Sequence, residues 1–272
     1  MIKSILFFVA IIILVFGLSC SREKKEDYSS IIDLFAARKF TDSELNSSLL
    51  YRFYTPQLHL DSHKLPLILY LSSSGPRGND NRSQIEFGAR VLVDPAMQQK
   101  HKCYVLVPQC PKGRQWLNTP CSKFPKQSYN QELIPESNEM KMIIKLINNL
   151  AAKYPIDTNR IYVTGISMGG SGTWDIVTRY PNFFAAAAPL NGVSDPSIAH
   201  LVAHLPVWAF HGRQDKISDV NNTRKMIAAL KENGSSCQYT EYPESGHGIA
   251  MPTYTNNQLF DWMFSQDKAE LK

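Results

Sequence analysis

The sequence predicts an α/β fold in which a mostly parallel central sheet carries helices on both faces. Two observations lead there. Short continuous apolar runs, each bounded by turn-forming residues, recur along the chain, as expected of strands buried on both sides. Between them lie segments whose apolar residues return every three or four positions, the period of an amphipathic helix. Strands and helices in alternation favour parallel pairing, because a parallel connection must cross over and a helix makes that crossing. In such sheets function gathers at the carboxyl ends of the strands, so residues just past each strand are the ones to inspect for chemistry.

The elements follow in order. Residues 28–48 are polar and mildly helical and are expected on the outside. Leu49–Tyr54 alternates as a strand does, and Leu65-Pro-Leu-Ile-Leu-Tyr-Leu71 is a continuous apolar run. Ser72–Asn81, dense in Ser, Gly, Pro and Asn, is a loop. Cys103–Pro108 is the next buried strand, followed by the loop Gln109–Trp116. From Ser137 to Lys153, Met140, Ile143, Ile144, Ile147, Leu150 and Ala151 fall on one helical face. A turn at Pro155–Asn159 precedes the strand Ile161–Val163, and Thr173–Arg179 is helix-compatible. Phe184–Leu190 and Pro206–His211 are further buried strands. Asn221–Asn233 is a helix with Met226, Ile227 and Leu230 inward and Gly234 as its stop. Cys237–Tyr242 alternates as a strand, and Gln258–Phe264 closes the chain as a helix. There are no repeats and no low-complexity linker, and 43% apolar residues supply one large core.

The N-terminus reads differently. After Lys3, Ile5–Leu18 is an apolar run, shorter than the about 20 residues a membrane span needs and suited to the core of an export signal. It ends in Gly17-Leu-Ser-Cys20, followed by the charged Arg22–Asp27. This resembles a bacterial lipoprotein signal, in which residues 1–19 are removed, Cys20 is acylated and residues 20–44 form a tether and N-terminal segment. The alternative is an ordinary secretory signal cut nearby. Either way an exported chain is expected. A lipid on Cys20 would attach it to a membrane of the cell envelope without any spanning helix.

A net charge of +5 is spread along the chain without a basic cluster, which excludes a nucleic-acid footprint. Cys103, Cys110, Cys121 and Cys237 could form two bridges in three ways, with Cys110–Cys121 the pair to expect first. Cys103, in a strand-like run, also suits a small buried hydrophobe. No Cys-x-x-Cys or His/Cys cluster has metal-ligand spacing, so no metal is expected.

The chemistry centres on Gly165-Ile-Ser-Met-Gly169, a G-x-S-x-G pattern between a strand and a helix, the context of a nucleophile elbow. An acid and a histidine then follow, each just past a strand: Asp215 in His211-Gly-Arg-Gln-Asp215 and His247 in Glu244-Ser-Gly-His-Gly248. In these roles Ser167 attacks a carbonyl carbon, His247 takes its proton and later returns it to the leaving group, and Asp215 orients the imidazole. Asp219 is the rival acid, but its place just before the Asn221 helix suits a cap. His211, at a strand end, is expected to be structural.

These motifs, with Gly75-Pro-Arg-Gly-Asn-Asp-Asn81 and Val107-Pro-Gln-Cys-Pro111, resemble a family of α/β-hydrolase esterases. Its neighbours are poly(3-hydroxybutyrate) depolymerases, feruloyl and acetyl-xylan esterases, and "predicted peptidase" lipoproteins. The resemblance covers residues 45–268 and implies the α/β-hydrolase fold, serine-dependent ester hydrolysis, no cofactor and the triad Ser167, Asp215 and His247. Carried over by position, the oxyanion hole would be formed by the backbone N–H groups of Met168 and Ser74. The chain departs from the family at that loop: where the family reads Leu-His-Gly-x-Gly-Glu-Arg-Gly, this sequence has Leu71-Ser-Ser-Ser-Gly-Pro-Arg-Gly78. Serine in place of glycine narrows the backbone paths open to the loop.

Two functions are therefore expected to compete. The first is an exported, lipid-anchored serine hydrolase of carboxylic esters, acting on small-molecule or oligosaccharide esters such as ester-decorated polysaccharide fragments, with peptide hydrolysis a weaker variant. The second is a hydrolase-fold lipoprotein that binds a ligand with little turnover. Trp116, in a loop after a strand, lines the pocket in either case or else sits at the core edge.

Overall fold

The computed structural model describes residues 28–57, 63–121 and 129–271. The expected export signal, Cys20 and the first part of the expected tether, residues 20–27, lie outside these residues. Among the described residues eight strands form one sheet: β1 (Ala36–Asp42), β2 (Ser47–Tyr54), β3 (Leu65–Leu71), β4 (Tyr104–Pro108), β5 (Ile156–Ile166), β6 (Ala186–Leu190), β7 (Trp208–Gly212) and β8 (Gln238–Tyr242). Their order across the sheet is β1-β2-β4-β3-β5-β6-β7-β8. β1 and β2 pair antiparallel, as do β2 and β4, and every other pairing is parallel. Because β3 to β8 all run parallel, their carboxyl ends lie at one edge of the sheet.

Residues 28–48 are helical only over α1 (Tyr28–Asp33), and then become strand β1. The sheet thus starts upstream of Leu49. β1 is an edge strand whose largely exposed, polar side chains follow from its having one neighbour. β5 is also longer than the Ile161–Val163 run, taking in part of the expected turn, with a register shift opposite Leu65–Leu67.

The continuous apolar strands are explained by cover on both faces. Leu67, Leu69 and Leu71 of β3 join one core with Met140, Ile143 and Ile147 of α4 (Asn138–Lys153), Trp174 of α5 (Met168–Arg179) and Met226 of α6 (Val220–Glu232). Ile68 and Tyr70 of the same strand point into a second core on the opposite face. It is built with Ala89 of α2 (Phe87–Val91), Tyr254 of α7 (Ala250–Tyr254) and Leu259 and Phe260 of α8 (Asn257–Phe264). A further short helix, α3 (Pro95–Lys100), precedes β4. Among the described residues no helix is long and apolar enough to cross a membrane.

Candidate active site

The strand-to-helix junction at Ser167 is set by close packing. Ser167 is held at φ 59°, ψ −116°, a conformation that side chains other than glycine rarely adopt, and α5 begins at the next residue. A Cβ on Gly169 would lie 1.9 Å from Leu71 O, and one on Gly165 2.5 Å from the same oxygen, so only glycine lets β3, β5 and α5 meet here. Ser167 N–H donates to Leu190 O at 2.9 Å, which ties the elbow to the end of β6.

The loops after β7 and β8 bring the other two groups to it. His247 Nδ1 lies 2.6 Å from Asp215 Oδ2, and His247 Nε2 lies 2.8 Å from Ser167 Oγ. An ionised carboxylate can only accept, so Nδ1 carries the proton. The neutral ring then leaves Nε2 free to accept from the serine hydroxyl. Asp215 is itself over-determined: Oδ1 accepts from Ile217 N–H at 2.8 Å and Ser218 N–H at 3.0 Å, and His211 Nε2 stands 3.4 Å from Oδ2. Burial alone would raise this carboxyl, but the hydrogen bonds from His211, His247, Ser218 and Ile217 hold it well below the usual carboxylate range. The acid of the triad is therefore held in its charged form.

His211 is fully buried and does not reach Ser167. Thr223 Oγ1 lies 2.8 Å from its Nδ1 and Ser218 O 3.0 Å from its Nε2, so it clamps the Asp215 loop from beneath. Asp219 is exposed and caps α6, accepting from Asn221 N–H at 3.0 Å.

Ser167 and His247 open into a cavity of about 340 Å³, whose wall includes Ser73, Ser74, Glu86, Phe87 and Ile217. Met168 N–H is the first of α5 and has no partner within the helix. Ser74 N–H has no acceptor among the described residues. Ser74 borders the cavity together with Ser167, and Met168 is the residue next to the serine. The serines of the loop need no left-handed backbone, because positive φ among the described non-glycine residues is confined to Asn46, Asn81, Ser167 and Asn191. The loop is pinned at three successive residues: Ser72 O accepts from Trp116 Nε1 (2.9 Å), Ser73 N–H donates to Glu86 Oε2 (2.8 Å), and Ser74 O accepts from Arg77 Nε (2.8 Å). A larger cavity of about 780 Å³ lies beyond Phe87 and contains none of the triad residues.

The sequence profile of the dienelactone hydrolase family matches residues 105–269, more than half of the chain and all three members of this triad. The chain belongs to that family. Within it, the chain is 30% identical over 98 residues to a bifunctional acetylxylan esterase/xylanase of Neocallimastix patriciarum, covering 36% of this chain and 14% of that protein. It is 32% identical over 97 residues to poly(3-hydroxyalkanoate) depolymerase C of Paucimonas lemoignei, covering 36% and 22%. The chain thus matches a minor part of the length of these relatives. Among solved structures it superposes on a thermostable esterase with a TM-score of 0.81 and 36% identity, over 88% of this chain and 64% of that one. The α/β-hydrolase fold is established by these matches together.

Two sequence expectations are narrowed or corrected in this dienelactone hydrolase family member. Of the two places expected for Trp116, the structure gives the core rather than the cavity wall. Trp116 is fully buried, because its indole N–H finds its acceptor in Ser72 O beneath the loop. Cys110 and Cys121 do not form a bridge: all four described cysteines are free thiols. Cys110 is buried, and Cys121 Sγ instead meets the Arg77 guanidinium at 2.7 Å.

Two residues escaped the sequence reading. Asn191, buried at the end of β6 with φ 48°, donates through Nδ2 to His247 O (2.8 Å) and accepts from Gly212 N–H through Oδ1 (3.1 Å). It thereby ties the histidine loop to the ends of β6 and β7. Its signal was the Asn-Gly pair at a strand end, a position where asparagine tolerates the left-handed backbone. The other is Glu86, which no periodicity marks.

Proposed function

We propose that this protein is a serine esterase that hydrolyses carboxylic esters through an acyl-enzyme. The observation that carries this reading is the unbroken Asp215–His247–Ser167 hydrogen-bond chain at a strained elbow, opening into a cavity. Ser167 Oγ attacks the ester carbonyl carbon while His247 Nε2 takes its proton, and Asp215 stabilises the resulting imidazolium. The carbonyl oxygen becomes an oxyanion that receives the N–H groups of Met168 and Ser74. Collapse breaks the C–O bond, and His247 protonates the departing alkoxide to give the alcohol. Water, deprotonated by His247, then attacks the acyl carbon, and collapse releases the carboxylic acid and restores Ser167. The residues supply every proton transfer, so no step calls on a cofactor.

The reading extends to place and substrate. The apolar Ile5–Leu18 run before Cys20 supports export and lipid attachment in the bacterial envelope. A tethered esterase whose relatives carry names such as acetylxylan esterase and feruloyl esterase is suited to ester-decorated polysaccharide fragments, by analogy of family.

The test uses the chain without residues 1–19, treated with a fluorophosphonate probe beside Ser167→Ala. Labelling and p-nitrophenyl acetate cleavage by wild type, both absent in the variant, are expected. Wild type that takes no label and cleaves no ester would leave the non-catalytic binding protein as the reading. Radiolabelled palmitate incorporation that persists in Cys20→Ala would refute the anchor.

A further inference from the structure

We infer that Glu86 is the positioning residue of the oxyanion loop, fixing Ser73 so that Ser74 N–H is the amide left for the substrate oxygen. The inference rests on the esterase reading and deepens it. Glu86 occupies the N-cap position of α2, where a carboxylate ordinarily accepts from the helix's own first amides, yet it makes no such bond. Its side chain turns the other way, into the loop. Oε2 accepts from Ser73 N–H at 2.8 Å, and Oε1 from the Ser73 hydroxyl at 2.5 Å, a two-point grip on a single residue. Tyr70 OH approaches Oε2 at 3.4 Å from β3 below.

This grip decides which amide is available. Ser73 N–H is consumed by the carboxylate, whereas Ser74 N–H, one residue on, has no acceptor among the described residues and borders the cavity with Ser167. A half-buried carboxylate in a cavity wall bears a desolvation cost, and burial does raise the Glu86 carboxyl above its ordinary value. Charge-assisted bonds to Ser73 offset that cost and in return immobilise the loop. Ser73 stands where the family resemblance has a glycine, and the loop's path is set by Glu86 and Trp116 from outside it and by Arg77 within it.

The experiment compares wild type, Glu86→Ala, Glu86→Gln and Ser73→Ala in kcat and KM for p-nitrophenyl acetate. Beside these it measures the Ki of a trifluoromethyl ketone, which adds to Ser167 Oγ and places its own oxyanion in the hole. Glu86→Ala is expected to lower kcat about 10²-fold, the cost of a displacement near 1 Å, with KM within about threefold. The ketone Ki should weaken by the same factor. Glu86→Gln should stay within about fivefold of wild type, since its amide can accept from Ser73 N–H and donate to Ser73 Oγ. Ser73→Ala, which loses only the hydroxyl contact, should fall between them. It decides the matter should Glu86→Ala not fold: Ser73→Ala with wild-type kcat and Ki overturns the inference. So does Glu86→Ala with unchanged Ki, or Glu86→Gln as impaired as Glu86→Ala. If wild type itself neither labels nor turns over, the esterase reading fails first and this inference goes with it.

Discussion

Asp215→Asn tests the assignment of the acid, and the structure sets the size of the effect. Oδ1 of Asp215 accepts two backbone N–H groups while Oδ2 faces His247 Nδ1 and His211 Nε2. An asparagine should keep its carbonyl oxygen on the two amides. Turning its NH₂ group towards them forfeits two hydrogen bonds of about 1 kcal/mol each and sets donor against donor. At about 1.4 kcal/mol per tenfold, that favours the orientation with Nδ2 against His247 by at least about thirtyfold. Nδ2–H then donates to Nδ1, the ring is fixed with its proton on Nε2, and Nε2 cannot take the Ser167 proton. The orientation preference alone sets a floor of about thirtyfold on the loss of kcat, and a fully wrong tautomer takes it towards about 10⁴-fold. Asp219→Asn is the matched control. Its side chain is an exposed cap of α6, and asparagine caps as well as aspartate, so kcat should stay within about twofold. Steady-state p-nitrophenyl acetate kinetics, with circular dichroism to confirm folding, read both. A folded Asp215→Asn that keeps kcat within about tenfold, or a larger loss in Asp219→Asn, would refute the assignment.

Three further outcomes follow from the same geometry. Because the Asp215 carboxyl is held below its unfolded value of about 3.9, its contribution to stability is complete above that pH and is lost as pH falls through the folded value. Urea midpoints of wild type should therefore drop more steeply than those of Asp215→Asn on acidification below about pH 4, and parallel curves would contradict this. Asn191→Gly keeps the left-handed backbone but strands Gly212 N–H and His247 O, so urea unfolding should show a loss of about 2–4 kcal/mol. With the tie on His247 gone, kcat should fall about tenfold or more, and wild-type values for both would count against the tie. Gly169→Ala drives a methyl into Leu71 O and should cost at least about 3 kcal/mol, read as a lowered thermal midpoint; an unshifted midpoint would show that β3 and α5 can separate freely.

What could be read from the sequence had a physical signature within a few residues. Ser167 and Asp215 sit just past buried apolar runs and His247 just past an alternating one, so topology alone brings their loops to one edge of the sheet. What escaped lacked such a signature. β1 has one neighbour and polar, exposed side chains, so Ala36–Asp42 carries neither an apolar run nor a strict alternation. α2 and α3, of five and six residues, are too short to show a helical period. Trp116 could be read either as pocket lining or as a core-edge aromatic, because a tryptophan in a strand-end loop fits both. Its burial is decided by a partner 44 positions away, Ser72 O, which no local pattern announces.

The Ser72-Ser-Ser74 loop shows why this distinction matters for function. Read as sequence, the loop looked like a weakened oxyanion site, since serine is a poor substitute wherever glycine is needed for its φ. The structure removes that premise, because none of the three serines has positive φ. It replaces the question of backbone freedom with one of restraint. Restraint comes from side chains distant in sequence, Glu86 on Ser73 and Trp116 on Ser72, and both bonds end on backbone groups of the loop. A backbone donor survives any side-chain replacement that preserves its position. The catalytic competence of the loop therefore depends less on its own three residues than on the two that hold them, and substitutions at Glu86 should be felt at Ser167 without touching it.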